Sequence, residues 1–253
     1  TISAMVGKGS VNHNSRKFRA ENVDGTRTHL NIDYCNENIK TVYHELFDEA
    51  LERYNAKQIR SDRKIKDYYE KIRSSKQEKP FREIILQVGG KGNMNADTEN
   101  GELAKQILDE YYQGFQERNP QLRVFSAHLH MDEATPHLHI DFVPFTTGSK
   151  RGLDTRVSLK QALATQGFKG GSRGDTEWSQ WIQSEKEQLA AVMERYGIEW
   201  EHLGTHEKHL SVLDYKKQER EKEVAALGAK IEQKQIEFDA VSYTHLTLPT
   251  SDL

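Results

Sequence analysis

The stretch His128-Leu-His130-Met-Asp132-Glu133-Ala-Thr-Pro136-His137-Leu-His139-Ile-Asp141-Phe-Val-Pro144 decides how this chain is read, because it gathers four of the eleven histidines beside three acids. His137 and His139 alternate with Leu138 and Ile140. On a strand, successive side chains point to opposite faces, so the two imidazoles share one face and the aliphatic residues enter a core on the other. His128 and His130 repeat that spacing behind a second strand-like run, Leu122-Arg-Val-Phe-Ser-Ala127, and Met131–Pro136 supplies a turn between the arms. The expected object is a hairpin with its histidines on one face. A single His-x-His pair is ordinarily a half-exposed strand face. Two pairs flanking Asp132-Glu133 are different, since imidazoles and carboxylates packed together leave polar groups that one divalent cation satisfies. Imidazole suits zinc, manganese, iron, nickel and copper alike, so ligand type alone does not name the ion.

Around this hairpin the chain is hydrophilic: 253 residues, 35% hydrophobic and 30% charged, with a formal net charge of -3. That suits one moderate domain with an extended appendage. No apolar run approaches the ~20 residues needed to cross a bilayer. There is no secretory signal, and Cys35 is the lone cysteine, so a reducing cytoplasm is the expected compartment. The chain opens Thr1-Ile-Ser without an initiator methionine and is expected to be a fragment. At the other end, Val241-Ser-Tyr-Thr-His-Leu-Thr-Leu-Pro-Thr250 abruptly loses all charge. It resembles the translation of a transposase-type sequencing adaptor, so residues 241–253, His245 included, are expected to be a non-native tail without functional meaning.

The intervening pattern mixes helices and strands. Residues 38–73 carry Ile39, Val42, Leu46, Ala50 and Tyr54, then Ile65, Tyr68, Tyr69 and Ile72, a helical rhythm in a charged background. Phe81–Val88 reads as a strand closed by a glycine-rich loop that lacks phosphate-loop spacing. Helical periodicity returns over Glu102–Arg118, ending at Asn119-Pro120, and again over Trp178–Tyr196. Leu210, Leu213, Val224, Leu227, Ile231 and Phe238 approximate heptads, which predicts a long, partly coiled-coil helix over 206–240 for self-association or tethering. Between the hairpin and Trp178, Thr146–Asp175 holds Lys150, Arg151, Arg156, Lys160, Lys169 and Arg173 against Asp154 and Asp175. A basic segment directly after a metal hairpin is where a phosphate backbone would be gripped, the plainer alternative being a solvated loop.

The N-terminal segment supplies what a metal alone cannot. Asn12-His13-Asn14-Ser15-Arg16 and Thr26-Arg27-Thr28-His29-Leu30-Asn31 bring further histidines and arginines, with Arg19 between them. His13-Asn14-Ser15-Arg16, Thr28-His29-Leu30-Asn31 and His130-Met-Asp132-Glu133-Ala-Thr-Pro136-His137-Leu-His139 stand in the order and approximate spacing of the three motifs of the MobV relaxases, the Pre/Mob plasmid mobilisation and recombination proteins. The resemblance covers about residues 5–215, and its third motif is long enough to be highly specific.

The resemblance implies an α+β fold of the HUH nuclease type, a central antiparallel sheet flanked by helices and followed by a long C-terminal helix. It implies a catalytic domain over 1–205, and an enzyme that nicks one strand at an origin of transfer and stays attached to the 5′ end. His130, His137 and His139 match the metal ligands, His13 the histidine nucleophile, Arg16 a companion able to orient the scissile phosphate through a bidentate contact, and Glu133 the motif acid. Arg19, Arg27, Lys150, Arg151 and Arg156 are the expected DNA contacts. Three imidazoles match Mn²⁺ better than the oxygen-preferring Mg²⁺. The implied partners are origin-of-transfer DNA, single-stranded or in a hairpin, and the coupling and transfer machinery of a bacterial cytoplasm. His128 falls outside the motif and is expected to be a neighbouring surface histidine. Some MobV proteins show Tyr where this chain has Ile32, and Tyr34 points to the opposite phase or lies beyond that position, which leaves His13 as the better nucleophile. Attack requires the neutral imidazole, whose ring nitrogen carries the lone pair. Two other readings fit parts of the chain: a metallohydrolase of small phosphoesters or amides, and a non-catalytic metal-stabilised DNA-binding module. The first leaves His-Asn-x-Arg and the basic segment unexplained; retained origin binding without nicking would favour the second.

Overall fold

Strand alternation in the hairpin organises the sheet around it. The computed structural model describes residues 1–90, 92–201 and 212–246. In chain order the first half comprises β1 (Ile2–Val6), α1 (Val11–Asn14), a 3-10 turn at Thr28–Leu30, β2 (Ile32–Asn36), α2 (Ile39–Ala56), α3 (Tyr68–Arg73) and β3 (Arg82–Val88). There follow α4 (Glu99–Gln113), α5 (Phe115–Arg118), β4 (Leu122–His130), β5 (His137–Thr146), β6 (Arg156–Val157), α6 (Leu159–Thr165), α7 (Glu177–Arg195) and α8 (Val212–Leu246). The strands lie in the order β1-β3-β5-β4-β2, antiparallel throughout, and β6 pairs with the far end of β5. This is the expected antiparallel sheet flanked by helices.

Local chemistry starts the helices where the sequence asks. Asn38 accepts from the backbone of Lys40 at the head of α2, Thr98 from Gly101 at α4, and Thr176 with Ser179 forms a capping box at α7. The helix read over 102–118 begins earlier, at Glu99, and is interrupted at Gly114, which separates α4 from α5. The strand ending at Ala127 in the sequence reading continues to His130, so both histidine pairs lie on paired strands.

One face of the sheet is apolar along its length. Ile84, Leu86, Leu129, Leu138, Ile140 and Phe142 are fully buried there, clustered with Ile107, Leu108 and Tyr111 of α4 and Trp181, Leu189 and Met193 of α7. Each such side chain contributes about 1.5–3 kcal/mol of hydrophobic stabilisation. The opposite face is apolar only at one end, where Phe125 and Val143 join Val42, Tyr43 and Phe47 of α2 and Tyr68 and Ile72 of α3. A register shift between Val124 and Ser126 in β4 makes Phe125 an extra residue, so Phe125 joins the second cluster and Ser126, paired with Asp141, stays on that same face. The other end of this face is polar and holds the histidines.

The chain divides into two compact units, Thr1–Leu203 and Gly204–Leu253. In the second, α8 exposes Val224, Leu227, Ile231 and Phe238 and runs through Leu246, so the start of the expected foreign tail is helical. Leu210, the expected domain boundary at 205/206 and residues 247–253 lie outside the described residues. Among the described residues, no helix is long and apolar enough to cross a membrane.

Candidate functional site

Strand register lays the polar end of the sheet out in rows. One row reads Ser3, Gln87, His137, His130; the next reads Met5, Ile85, His139, His128, Asp33; the third reads Glu83, Asp141, Ser126. Directly paired residues share a face, so four imidazoles converge on the β4–β5 hairpin. Ring centroids lie 5.2 Å apart for His130 and His137, 4.7 Å for His130 and His139, and 4.9 Å for His137 and His139.

Hydrogen bonds fix which nitrogen of each ring faces the others. His130 Nε2 lies 2.8 Å from the Asn14 carbonyl and His137 Nδ1 2.8 Å from the Thr135 carbonyl. A carbonyl only accepts, so both nitrogens donate. That leaves lone pairs on His130 Nδ1 and His137 Nε2, which face one another at 3.4 Å. Two facing lone pairs repel unless a cation lies between them. A proton is a poor candidate: burial and the neighbouring His139 and His137 push His130 down to about 2, and burial and His139 push His137 down to about 4. His139 Nδ1 donates to Glu83 Oε1 at 2.6 Å, while its Nε2 is buried without a partner among the described residues. Each ring is thus oriented by one acceptor and offers its other nitrogen, the arrangement expected of imidazole ligands. Donor atoms close enough to share one divalent ion include His130 with His137 and His130 with His139, but among the described residues they do not unite His137 with His139.

Helix α1 closes the site from above. Asn14, 2% exposed, donates from Nδ2 to Glu83 Oε1 at 2.8 Å and to Asp141 Oδ2 at 2.9 Å, and its carbonyl holds His130. Glu83 also accepts from Gly9 N at 2.6 Å. The chain passes so close here that a Cβ on Gly7 would lie 1.9 Å from Glu83 Oε2. Burial alone would raise the Glu83 carboxyl, but bonds from His139, Gly9 and Asn14 hold it below its usual range. Asp141, paired across from Glu83, is instead raised to about 7 by burial and by the Glu83 charge. With Asn14 anchored, the neighbouring His13 stands at the site, its ring centroid 6.0 Å from His130 and 6.1 Å from His139.

Asp132 joins the three sequence motifs. Fully buried, it accepts from Arg16 Nε at 3.0 Å and Nη2 at 2.5 Å, from Thr28 Oγ1 at 3.0 Å and from Asn31 Nδ2 at 2.8 Å. Arg16 adopts a left-handed backbone conformation, φ 55°, which a non-glycine residue holds only when its surroundings compel it. The bidentate pair to Asp132 is that constraint. The bidentate phosphate contact expected of Arg16 is therefore preoccupied, because the Nε/Nη2 edge of its fork already grips Asp132. Glu133 Oε1 sits at the centre, 2.9 Å from Arg16 Nη2, 3.4 Å from His13 Nε2, 3.8 Å from His137 Nε2 and 4.0 Å from His130 Nδ1. Burial raises its pKa, but His13, His137 and Arg16 outweigh that and hold it far below the usual range, so it stays ionised. Donor atoms within 4.8 Å of one another form two overlapping sets, His13/His130/His139 and His130/Glu133/His137, with His130 common to both.

Several expected residues stand elsewhere. His128 is 1% exposed, not a surface histidine: its Nδ1 meets Asp33 at 2.6 Å and its Nε2 is buried without a partner among the described residues. Tyr34 packs against the apolar cluster, stacks on Tyr112 at 4.0 Å and donates to Asp109 at 2.7 Å, away from the imidazoles. Arg27 donates to the Ala96 carbonyl, and Arg19 is exposed beside Gly25. Lys150, Arg151 and Arg156 line a groove of about 580 Å³ with Thr146, Ser149 and Gln161. This groove is at the opposite end of β5 from His137, roughly 30 Å away at about 3.3 Å per residue, so adjacency in sequence does not make the basic segment adjacent to the histidines. Sequence reading missed Glu83, Asn14 and the anchoring role of Asp132. A signal existed for Glu83, which shares strand parity with Ile85 and Gln87 and sits opposite the core-facing Ile84, Leu86 and Val88.

Known proteins resemble this chain in both sequence and fold. The family described as "Plasmid recombination enzyme" (Mob_Pre) matches residues 10–217. A plasmid recombination enzyme type 2 of Staphylococcus aureus is 25% identical over 240 residues, covering 93% of this chain and 48% of the relative. A plasmid recombination enzyme of Bacillus sp is 24% identical over 242 residues, covering 93% and 49%. This chain spans about half the length of these curated relatives. The MobM relaxase domain, in a Mn-bound crystal structure with plasmid pMV158 oriT DNA, superposes with a TM-score of 0.51 at 20% identity, covering 85% of this chain and 98% of that one. With a family match over 10–217, this chain belongs to the Mob/Pre family of plasmid recombination enzymes.

Proposed function

We propose that residues 1–205 form the catalytic domain of a metal-dependent relaxase, which nicks and rejoins one DNA strand at a plasmid or mobile-element origin of transfer through a 5′-phosphoryl-histidine intermediate. The observation that carries this reading is His13 standing 6.0 Å from His130 and 6.1 Å from His139, beside the free nitrogens of His130 and His137 that face each other at 3.4 Å. Family membership supports it, as does the MobM relaxase domain, which is Mn-bound and sits on oriT DNA. His130, His137 and His139 would hold the ion, with Mn²⁺ favoured over Mg²⁺ by the nitrogen donors. A divalent ion bound there supplies Lewis-acid polarisation of a phosphate oxygen.

The remaining chemistry belongs to the chain. Neutral His13 forms a P–N bond through Nε2 while the P–O3′ bond breaks, the electron pair leaves on the 3′ oxygen, which takes a proton from solvent, and the imidazole sheds its Nδ1 proton. Ionised Glu133, 3.4 Å from His13 Nε2, offsets the positive charge that the ring carries on attack. Arg16 keeps His13 in place by donating to its carbonyl at 3.1 Å, with Asp132 holding the guanidinium. The bond energy is retained in the phosphoramidate, so the reverse reaction rejoins the strand. Self-association through α8 and contact with transfer machinery belong to the same proposal: Val224, Leu227, Ile231 and Phe238 follow 3-4-7 spacing and are exposed. Sedimentation of the full chain against Leu227→Glu tests the first of these, and equal masses refute it.

A second reading rests on the His13/His130/His139 set. There His13 is a ligand and a water hydrolyses the strand. Supercoiled DNA bearing the cognate origin, incubated with the protein and Mn²⁺, separates the two. The relaxase gives relaxed circles carrying a protein adduct that is labile in mild acid and stable in alkali, absent from His13→Ala. Nicking without an adduct establishes the hydrolytic reading, and an acid-stable adduct at Tyr34 overturns His13.

A further inference from the structure

The histidine rows do not stop at the histidines. Across β3 and β1 they continue as Gln87 and Ser3 in one row and as Ile85 and Met5 in the other. At about 4.8 Å per strand, these pairs lie roughly 5 and 10 Å from β5 on the histidine face. All four are half-buried and uncharged, unlike the fully buried residues that alternate with them on the opposite face, such as Ile84 and Leu86. Gln87 Nε2 donates to the Gly89 carbonyl at 3.0 Å, which fixes the amide. Among the described residues, neither Gln87 Oε1 nor Ser3 Oγ has a protein hydrogen-bond partner. The surface is therefore a small apolar floor with unmet polar atoms along one side, continuous with the imidazole cluster.

We propose that Ser3, Met5, Ile85 and Gln87 seat one unpaired nucleobase of single-stranded DNA, the base neighbouring the phosphate held at the histidines. The proposal rests on the relaxase reading above. A nucleobase offers a flat face of low polarity and an edge of donors and acceptors. Met5 and Ile85 match the face, the thioether and aliphatic carbons lying against the ring. Gln87 and Ser3 match the edge, and a glutamine amide offers an acceptor and a donor at once. With no cation among them, these four residues suit a base better than a charged phosphate. In a duplex the face of each base is covered by its neighbours and its pairing edge by its partner strand, so the occupant is a single strand. Gln87 then contributes base preference at that position, which the distant basic groove cannot, because phosphate contacts position without specifying.

The full chain labelled with ¹³C at Met and Ile methyls tests this directly. The probes are single strands of dT, dA or dC of about twelve nucleotides, within the roughly 4–16 nucleotides such grooves engage, and a duplex of equal length. The Met5 and Ile85 methyl resonances should shift with single strands and stay in place with duplex, while the buried Met193 and Ile107 methyls remain unmoved and report that the fold is intact. Met5→Ala and Gln87→Ala should each weaken single-strand binding about five- to tenfold, and Gln87→Ala should also level the differences among dT, dA and dC. If single strands bind but the Met5 and Ile85 methyls do not move, the base seat is wrong and the relaxase reading stands. If no oligonucleotide binds and origin DNA is not nicked, the relaxase reading falls and takes the base seat with it.

Discussion

His137 and Leu138 are adjacent in sequence, lie on one strand and point to opposite faces of one sheet, and the two faces are built on different terms. On the Leu138 face, Ile84, Leu86, Leu129, Ile140 and Phe142 are as buried as any residue in the protein and need only to be packed. The His137 face is also deeply buried at His130, Asp132 and Asp141, yet it leaves His128 Nε2, His139 Nε2 and Asp141 Oδ1 without partners among the described residues. Unpartnered buried polar atoms cost stability. The apolar face supplies the cohesion that lets the other hold unsatisfied groups in place, and those groups are what a ligand can satisfy.

The largest effect that sharpens this contrast is on the packed face. Leu138→Ala removes a side chain from a fully enclosed site and should cost about 2–5 kcal/mol of unfolding free energy, read from denaturant midpoints, with the same loss whether Mn²⁺ is present or absent. His137→Ala, one residue away, should change the stability of the metal-free protein by less than about 1 kcal/mol, because it removes a half-buried ring whose Nε2 faces another lone pair. Its nicking rate should fall about a hundredfold or more. If His137→Ala unfolds the chain as Leu138→Ala does, the two faces are not divided in this way.

Both faces were legible to different depths. Period-2 alternation in a single stretch identified the hairpin and which residues share its histidine face, and helical periodicity found α2, α4 and α7, because these signals are local. Strands β1 and β2 escaped, being five residues each and only partly buried. Glu83 acquires its meaning from β3 pairing with β5, 56 residues from His139 to the carboxylate it touches, and no local pattern encodes that register. Asp132 was in plain view within the motif, but its role depends on Arg16 taking a left-handed turn 116 residues earlier. The basic segment failed in the opposite sense: it is close to the histidines in sequence, and the ten residues of β5 carry it away.

A smaller effect concerns the ion. If Mn²⁺ binds the folded site and not the unfolded chain, ten times its dissociation constant adds about 1.4 kcal/mol of stability. The melting temperature of the wild-type protein should rise with Mn²⁺ and fall back on chelation. His130→Ala should abolish that rise, since His130 belongs to both donor sets. An undiminished rise in His130→Ala would place the ion elsewhere.

The smallest effect separates the two ends of β5. Lys150 and Arg151 are exposed and carry no acidic partner among the described residues, whereas Lys160 is paired with Glu177 and Arg156 is tied to Ser149 and Gln161. Of the three cations lining the groove, they are therefore the two free to meet a phosphate backbone, but they stand roughly 30 Å from the histidines. Reversing both, Lys150→Glu with Arg151→Glu, removes at most two phosphate contacts, so the slope of log K against log salt should flatten by about 1.4 for a single strand. Only DNA long enough to span both ends should register the change. A strand of roughly twenty nucleotides should bind severalfold more weakly at low salt, while one of about six, placed at the histidines, should bind as it does to the wild-type protein. Equal weakening of both lengths would show that the basic groove and the imidazole site act as one surface, and no weakening of either would make Lys150 and Arg151 ordinary solvated cations.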